Sequence, residues 1–394
     1  MGKTGFAAFS GLQGFCGLHF SYNPAIFLHS FPDSVILLYN IVNEGIDLFI
    51  MKSKIINTAI ILLSIVVLLG YMFFVDGVDN IASVFLKANL WWLAAGACCM
   101  VLYWVCEAFI LHASVSCFDT HMRYRDTFKT TMIGQFFNCV TPSSTGGQPM
   151  QAYYMNRIGV GVGYATSALL IRFIVYQIGL TLFSIVVLIF KYQEFAAEIS
   201  GFKYLIIFGF TVNTVVAIML LIVGFTKTFA KKVIRGLTKL LAKLHLVKRL
   251  EKRLEQVDKE VDSFHEGFQI IKKHKMRIFV MLILTLFQLF FFFLVPVMIY
   301  CSFGLPLSSL FTMIAAGSCV QMASCFIPLP GAAGGAELSF FMLFKLFFPS
   351  DQLSTAILLW RLFTFYLPIL VGMVFSRDLF GKKIIREPQE NLEL

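Results

Sequence analysis

Six uninterrupted apolar runs, at about 55 to 75, 90 to 112, 164 to 190, 203 to 225, 278 to 301 and 353 to 375, decide what this chain can become. A helix of about 20 residues crosses a hydrocarbon core roughly 30 Å thick, and each run reaches that length. Two further apolar stretches, 127 to 141 and 308 to 348, are interrupted by Pro and Gly. Within hydrocarbon a chain must satisfy its own backbone polar groups, so it crosses as helices or as a closed barrel. A barrel needs short alternating segments, and these runs are continuous. Hydrophobic residues make up 58% of the chain and charged residues 14%, outside the range of an ordinary soluble domain. The expected fold is an all-α polytopic membrane protein with about six spanning helices and two re-entrant, broken hairpins.

Several function classes lose support at once. The nine cysteines fall mostly inside the apolar runs, with no CxxC pair and no His at ligand spacing, and read as small hydrophobes. No Walker-type phosphate loop and no HExxH occurs. No metal and no cofactor is expected. Residues 1–50 lack the basic and apolar regions of a signal peptide, whereas Met51 opens MKSKIINTAIILLSIVVLLG, two lysines and then a span. Residues 1–50 are therefore expected to be a non-native or disordered leader, with translation starting at Met51.

Charge sets the expected orientation. Of 32 Lys and Arg, fifteen lie between Lys227 and Arg277, against six acidic residues. By the positive-inside rule that insert is cytoplasmic. Its apolar positions Val233, Leu237, Leu240, Leu241, Leu244 and Leu250 have helical periodicity, which fits either a helix on the anionic inner leaflet or a solvated hairpin. Topology accounts for the net charge of +10, and no nucleic acid is expected as partner. Lys52 and Lys54, then Arg123, Arg125 and Lys129, then Arg377, Lys382, Lys383 and Arg386 mark the same side. The tail at 378–394 is then expected to be cytoplasmic, and the expected setting is a bacterial cytoplasmic membrane. Residues 127 to about 160 then dip in from the cytoplasm and 308 to 348 from outside.

The two interruptions resemble each other. Gln135, Cys139 and Pro142 match Gln321, Cys325 and Pro328 at identical spacing, and a glycine pair follows each: Gly146 and Gly147, then Gly334 and Gly335. Each leads to a span with one arginine, Arg172 or Arg361. These matches predict an inverted repeat, with halves at about 55–190 and 203–375, in which broken helices meet near the midplane around a central site. Irregular backbone survives there only if buried in protein or facing water.

The chemistry follows from the residue types. Each glycine pair permits a tight turn and a helix restart, with Gln148 and Pro149, or Ala336 and Glu337, in the restarting turn; Pro suits that position. Helix N-termini offer N–H groups to an anion such as phosphate. Arginine inside an apolar helix costs roughly 2.5 to 3.5 kcal/mol and so calls for a partner, either a phosphate gripped by its planar fork or a carboxylate such as Glu107 or Glu337. Gln135, Asn138 and Gln321 are candidates for the same site or for interhelical hydrogen bonds. Glu337 also suits a helix N-terminus by charge alone, and Glu107 lies near a span end.

TPSSTGGQP, PLPGAAGGAE and the arginine helices after them resemble the lysylphosphatidylglycerol synthase transmembrane region, or flippase-like domain, family over about Met51 to Arg377. The most specific piece is Pro328, Pro330, Gly331, Gly334 and Glu337. In larger relatives, the multiple peptide resistance factors, this region is taken to move aminoacylated phosphatidylglycerol between leaflets, while a separate domain makes the lipid. Only seventeen residues follow Arg377, so the resemblance is to stand-alone members, and an inherited phosphatidylglycerol lysyltransferase name leaves enzyme activity open. The resemblance implies a translocase for phospholipid head groups, anionic or aminoacylated. Arg172, Arg361, Gly146, Gly147, Gln148, Gly334 and Gly335 would lie around the phosphate, with Glu337 and Glu107 for an amine. A lipid-modifying enzyme, or a membrane scaffold for a separate synthase, is the alternative.

Overall fold

The computed structural model describes residues 88–118, 122–141, 144–198, 202–232, 235–236, 250–306, 310–324, 327 and 329–380. The chain divides into two compact units, Met1–Ile50 and Met51–Leu394, and every described residue belongs to the second. The leader, the start at Met51, the span expected at 55 to 75, Pro142, Cys325, Pro328, most of the insert's periodic stretch and the tail beyond Phe380 lie outside the described residues.

The described elements are helices. They run α1 (Leu90–Val115), α2 (Tyr124–Val140), α3 (Gly147–Arg157), α4 (Val162–Glu198), α5 (Phe202–Phe225), α6 (Leu250–Lys273), α7 (Lys275–Ser302), α8 (Leu310–Ser324), α9 (Gly335–Phe344), α10 (Ser350–Arg361) and α11 (Leu367–Phe380). Among them α1, α4, α7 and the α10–α11 pair, Ser350–Arg377, are long and apolar enough to cross a membrane. Large apolar side chains lie open on the outer surface, among them Ile189, Phe190, Leu370 and Met373. A surface of that kind suits lipid rather than water, so the chain is an all-α polytopic membrane protein.

Local chemistry explains the boundaries. Asn89 caps α1, its Oδ1 accepting the Trp91 N–H at 3.0 Å, a standard use of Asn before a first turn. α2 stops at Val140 because Thr141 precedes Pro142, and the residue before a proline is pushed out of the helical region; Thr141 is extended, with ψ 147°. In both broken segments the helix restarts at the second glycine of the pair, Gly147 for α3 and Gly335 for α9. Gly334 needs a positive φ of 82° to make that turn, a conformation open mainly to glycine.

The centre of the bundle is the α1–α7 pair, its most extensive helix contact. Trp104, Leu289, Phe293, Ala315, Cys319, Phe340 and Trp360 belong to one continuous core around it. α2 packs along α11, and its C-terminal end also meets the Pro330–Ala332 turn of the second broken segment. Between α10 and α11, residues Leu362–Tyr366 form one turn of π-helix, with the Leu367 N–H bonded to the Leu362 carbonyl.

The periodic stretch read for the insert lies almost wholly outside the described residues; the helix that follows it, α6, is docked on the bundle. Val261, Phe268 and Ile271 are buried, and the Ser167 hydroxyl of α4 donates to the Phe264 carbonyl at 2.7 Å. A Cβ on Gly163 would stand 2.5 Å from that of Ser263, and one on Gly267 would stand 2.7 Å from the Ser167 oxygen. Two glycines thus let the helices meet at backbone distance. Basic residues of 227–235 fold back onto α6: Lys231 pairs with Asp262 at 2.7 Å, Lys227 with the same carboxylate at 3.1 Å, and Arg235 with Asp258.

Candidate functional site: two ionic couples at the broken helices

Arg172, on the third turn of α4, points into the bundle and is 9% exposed; Glu107, on α1, is 6% exposed. Arg172 Nη1 donates to Glu107 Oε1 at 2.6 Å, and its Nη2 donates to Gln151 Oε1 of α3 at 3.0 Å. The other carboxylate oxygen accepts from Gln135 Nε2 of α2 at 2.5 Å. Gln151 closes the group by donating to the Thr130 carbonyl at 3.2 Å. The Tyr103 hydroxyl adjoins the same groups together with Gln288 of α7. Five helices therefore share one polar knot, and each charge in it has an opposite charge and hydrogen bonds, the condition for ions to survive at low dielectric. Of the two carboxylates open to Arg172, the fold brings up Glu107. Glu107 is buried despite its place near a span end.

Arg361 forms the second couple. It ends α10, is 5% exposed, and lies between Trp360 and Phe365, its guanidinium carbon 4.9 and 5.7 Å from their ring centres. Nη1 donates to the Gly331 carbonyl at 2.9 Å. Glu337 Oε2 stands 2.7 Å from Nη2 but off the line of its N–H bonds. Among the described residues neither Nε nor Nη2 has an aligned acceptor. Gly331, with φ 59°, leaves room for Phe365, which lies 2.2 Å from where a Cβ would be. Cys139, Phe365 and Ile369 form a small shared cluster flanked by Phe136 and Tyr366. Through it the end of the first broken helix reaches the arginine of the second.

The two glycine turns are less open than their sequence implies. The Gly146 N–H is already taken, donating to Thr141 Oγ1 at 2.8 Å. The Gly334 N–H donates to Glu337 Oε2 at 2.7 Å. Of the four glycines expected around a phosphate, the amides of Gly146 and Gly334 are thus capped by their own chain. Glu337 serves two groups at once, the helix start and Arg361. Three residues into the first restarted helix stands Pro149, which has no carboxylate, so Glu107 supplies the counter-ion from a different helix. The couples are alike in composition and unlike in construction.

The remaining candidates scatter around these couples. Gln321 Nε2 donates to the Tyr176 hydroxyl at 3.4 Å, a link between α8 and α4 away from both arginines' hydrogen bonds. Asn138 Oδ1 lies 2.0 Å from where a Cβ on Gly147 would stand, so Gly147 allows close packing of the restarted helix against α2. Gln148 is half-buried on the first turn of α3. Sequence reasoning missed Gln151, Thr130, Tyr103 and Gln288. Gln151 had a legible signal: a long amide between Met150 and Ala152 in a short segment expected to restart inside the membrane.

Residues 61–372 match the family described as Lysylphosphatidylglycerol synthase TM region. The chain is also similar to a UPF0104 membrane protein of Archaeoglobus fulgidus (strain ATCC 49558 / DSM 4304 / JCM 9628 / NBRC 100126 / VC-16). That relative is 26% identical over 293 residues, covering 74% of this chain and 88% of the relative. No solved structure matches. The broken helices, their glycine restarts and their arginine couples all fall inside the matched span, and the chain belongs to the lysylphosphatidylglycerol synthase TM region family.

Proposed function

We propose that this protein moves a phospholipid head group, anionic or aminoacylated, across the bilayer, with Arg361 as the group that meets its phosphate. One observation carries the reading: a buried guanidinium with two nitrogens lacking aligned acceptors among the described residues, placed where the two broken segments converge. A phosphate oxygen in line with Nε and Nη2 would complete the planar fork that suits arginine to phosphate. Glu337 would then be free for an ammonium group, where the cargo carries one. Arg172 already donates from both terminal nitrogens, to Glu107 and Gln151. In this reading it holds the first broken segment closed and takes cargo only when that couple opens.

An inverted repeat with halves at about 55–190 and 203–375, as the sequence matches suggest, would suit alternating access around such a site. The basic end, with Arg123, Arg125 and the insert, would face the cytoplasm. The test uses the full chain in liposomes carrying fluorescent phosphatidylglycerol, or its lysyl ester, in the inner leaflet. Appearance of the lipid outside is timed for wild type, Arg361→Lys and Arg361→Ala. Faster exchange than in empty liposomes, lost in the alanine variant and reduced in the lysine variant, is the expected result. Equal rates for wild type and Arg361→Ala, with equal reconstitution, would remove Arg361 from the mechanism.

A further inference from the structure

The basic end carries a feature separate from both couples. An open groove of about 420 Å³ lies between the start of α2 and the end of α11, lined by Tyr124, Arg125, Asp126, Phe128, Lys129 and Phe375. That volume falls within the range of small-molecule sites, roughly 300 to 1,000 Å³. Arg125 and Lys129 are four residues apart on one helix, so their side chains rise from the same face. Phe128 and Phe375 meet edge to face across the groove, with ring centres 5.8 Å apart at 76°. The groove is thus cationic along one wall and aromatic at the helix contact.

We propose that this groove holds the phosphate head group of an anionic phospholipid, drawn from the leaflet at the basic end, and is the station from which cargo approaches the broken segments. The second half of that statement rests on the translocase reading; the first does not. Charge complementarity identifies the occupant. Arg125 and Lys129 line the groove with one carboxylate, Asp126, and two more basic residues lie nearby in the chain, Arg123 preceding α2 and Arg377 in the last turn of α11. Basic clusters at a membrane surface attract anionic lipid, and an arginine fork can take two phosphate oxygens. The aromatic rings suit the level where head group meets acyl chain.

The groove is blind. One turn from Phe375, a Cβ on Gly372 would stand 2.7 Å from the Met132 carbonyl oxygen and 2.7 Å from Phe136 Cβ, so α2 and α11 touch at backbone distance just beyond it. A lipid held at Arg125 and Lys129 stays at the surface while that contact is closed. It gains the Gln135 to Cys139 stretch of α2 only when the two helices part.

The test is lipid retention. Full-length protein is reconstituted in mixed phosphatidylglycerol and phosphatidylcholine, extracted mildly, and its bound lipid counted by native mass spectrometry. Wild type should retain phosphatidylglycerol preferentially. Arg125→Gln with Lys129→Gln should lower that preference on the order of tenfold, as loss of two surface charges implies, whereas Lys273→Gln with Lys275→Gln, an equal charge loss at the same end, should leave it intact. Unchanged preference in the groove variant, or equal loss in the control, overturns the site. Timed exchange on the same samples separates the two readings. Preference lost with no transport in any version leaves the groove standing and removes the translocase; transport with preference retained in the groove variant removes the groove alone.

Discussion

Replacing Arg172 with methionine should cost more stability than any other single change at the polar knot, and replacing its partner as well should restore most of the loss. The structure supplies the reason. Arg172 and Glu107 are buried at 9% and 6% exposure, and their 2.6 Å contact compensates two charges that hydrocarbon surroundings would otherwise penalise. Arg172→Met leaves Glu107 with only the Gln135 amide and strips Gln151 Oε1 of its donor. Breaking one side of a buried couple costs about 3 to 5 kcal/mol, and a stranded amide oxygen adds about 1 to 3 kcal/mol. In Glu107→Leu with Arg172→Met, no charge remains to be compensated. Buried ion pairs replaced by apolar residues of similar volume are often neutral or even stabilising. The double variant should therefore recover several kcal/mol relative to Arg172→Met, a coupling that a double-mutant cycle isolates. Reversible unfolding in mixed micelles, followed by circular dichroism, measures all four corners. Additive losses, or an Arg172→Met cost below about 1 kcal/mol, would refute the claim that this couple is dry and mutually dependent.

Two further outcomes follow from the geometry. Gly147→Ala should lower stability by about 1 to 3 kcal/mol, the usual cost of overpacking, because its new methyl would occupy the place of Asn138 Oδ1, 2.0 Å away, and crowd the Gly134 carbonyl at 2.8 Å; the same unfolding experiment reads it. The insert should loosen in acid. Lys231, with Lys227, holds the Asp262 carboxyl below its usual range, and Arg235 does the same for Asp258. A depressed carboxylate contributes above its unfolded pKa, near 4, and the contribution fades as pH falls through the lower folded value. An acid-stable protease should therefore cut 227–235 faster at pH 3 than at pH 6. The pairs are exposed, so the effect is small, and Asp258→Asn with Asp262→Asn should abolish the pH dependence.

Much of the architecture was legible because lipid imposes so strict a rule. Runs at 90 to 112, 164 to 190, 203 to 225, 278 to 301 and 353 to 375 correspond to α1, α4, α5, α7 and the α10–α11 pair. The breaks were equally visible, since Pro142 and the glycine pairs have backbone consequences that neighbours do not override. Partnership was not legible. Whether Arg172 would meet Glu107 or Glu337 depends on which helices approach, and the sequence pattern carries no term for that. The docking of α6 was masked by its charge: the basic count drew attention to topology, while Val261, Phe264, Phe268 and Ile271, spaced three and four apart, marked the face that buries. Two of the four glycine amides, those of Gly146 and Gly334, are taken up for a local reason. A threonine five residues before Gly146 and a glutamate three after Gly334 sit where their oxygens can cap the turn, and both do.

The π turn at Leu362–Tyr366 divides the last span into two segments with separate phasing. A π turn amounts to one residue more than an α-helix would use, and one residue is worth about 100° of rotation around a helix axis. Upstream, Trp360 and Arg361 are oriented toward the second broken segment; downstream, Gly372 is oriented toward Met132 and Phe136 of the first. With ordinary α-helical winding throughout, one of those two registrations would be lost. The single wide turn works as an angular offset: one continuous helix addresses both broken segments, each on the face it requires.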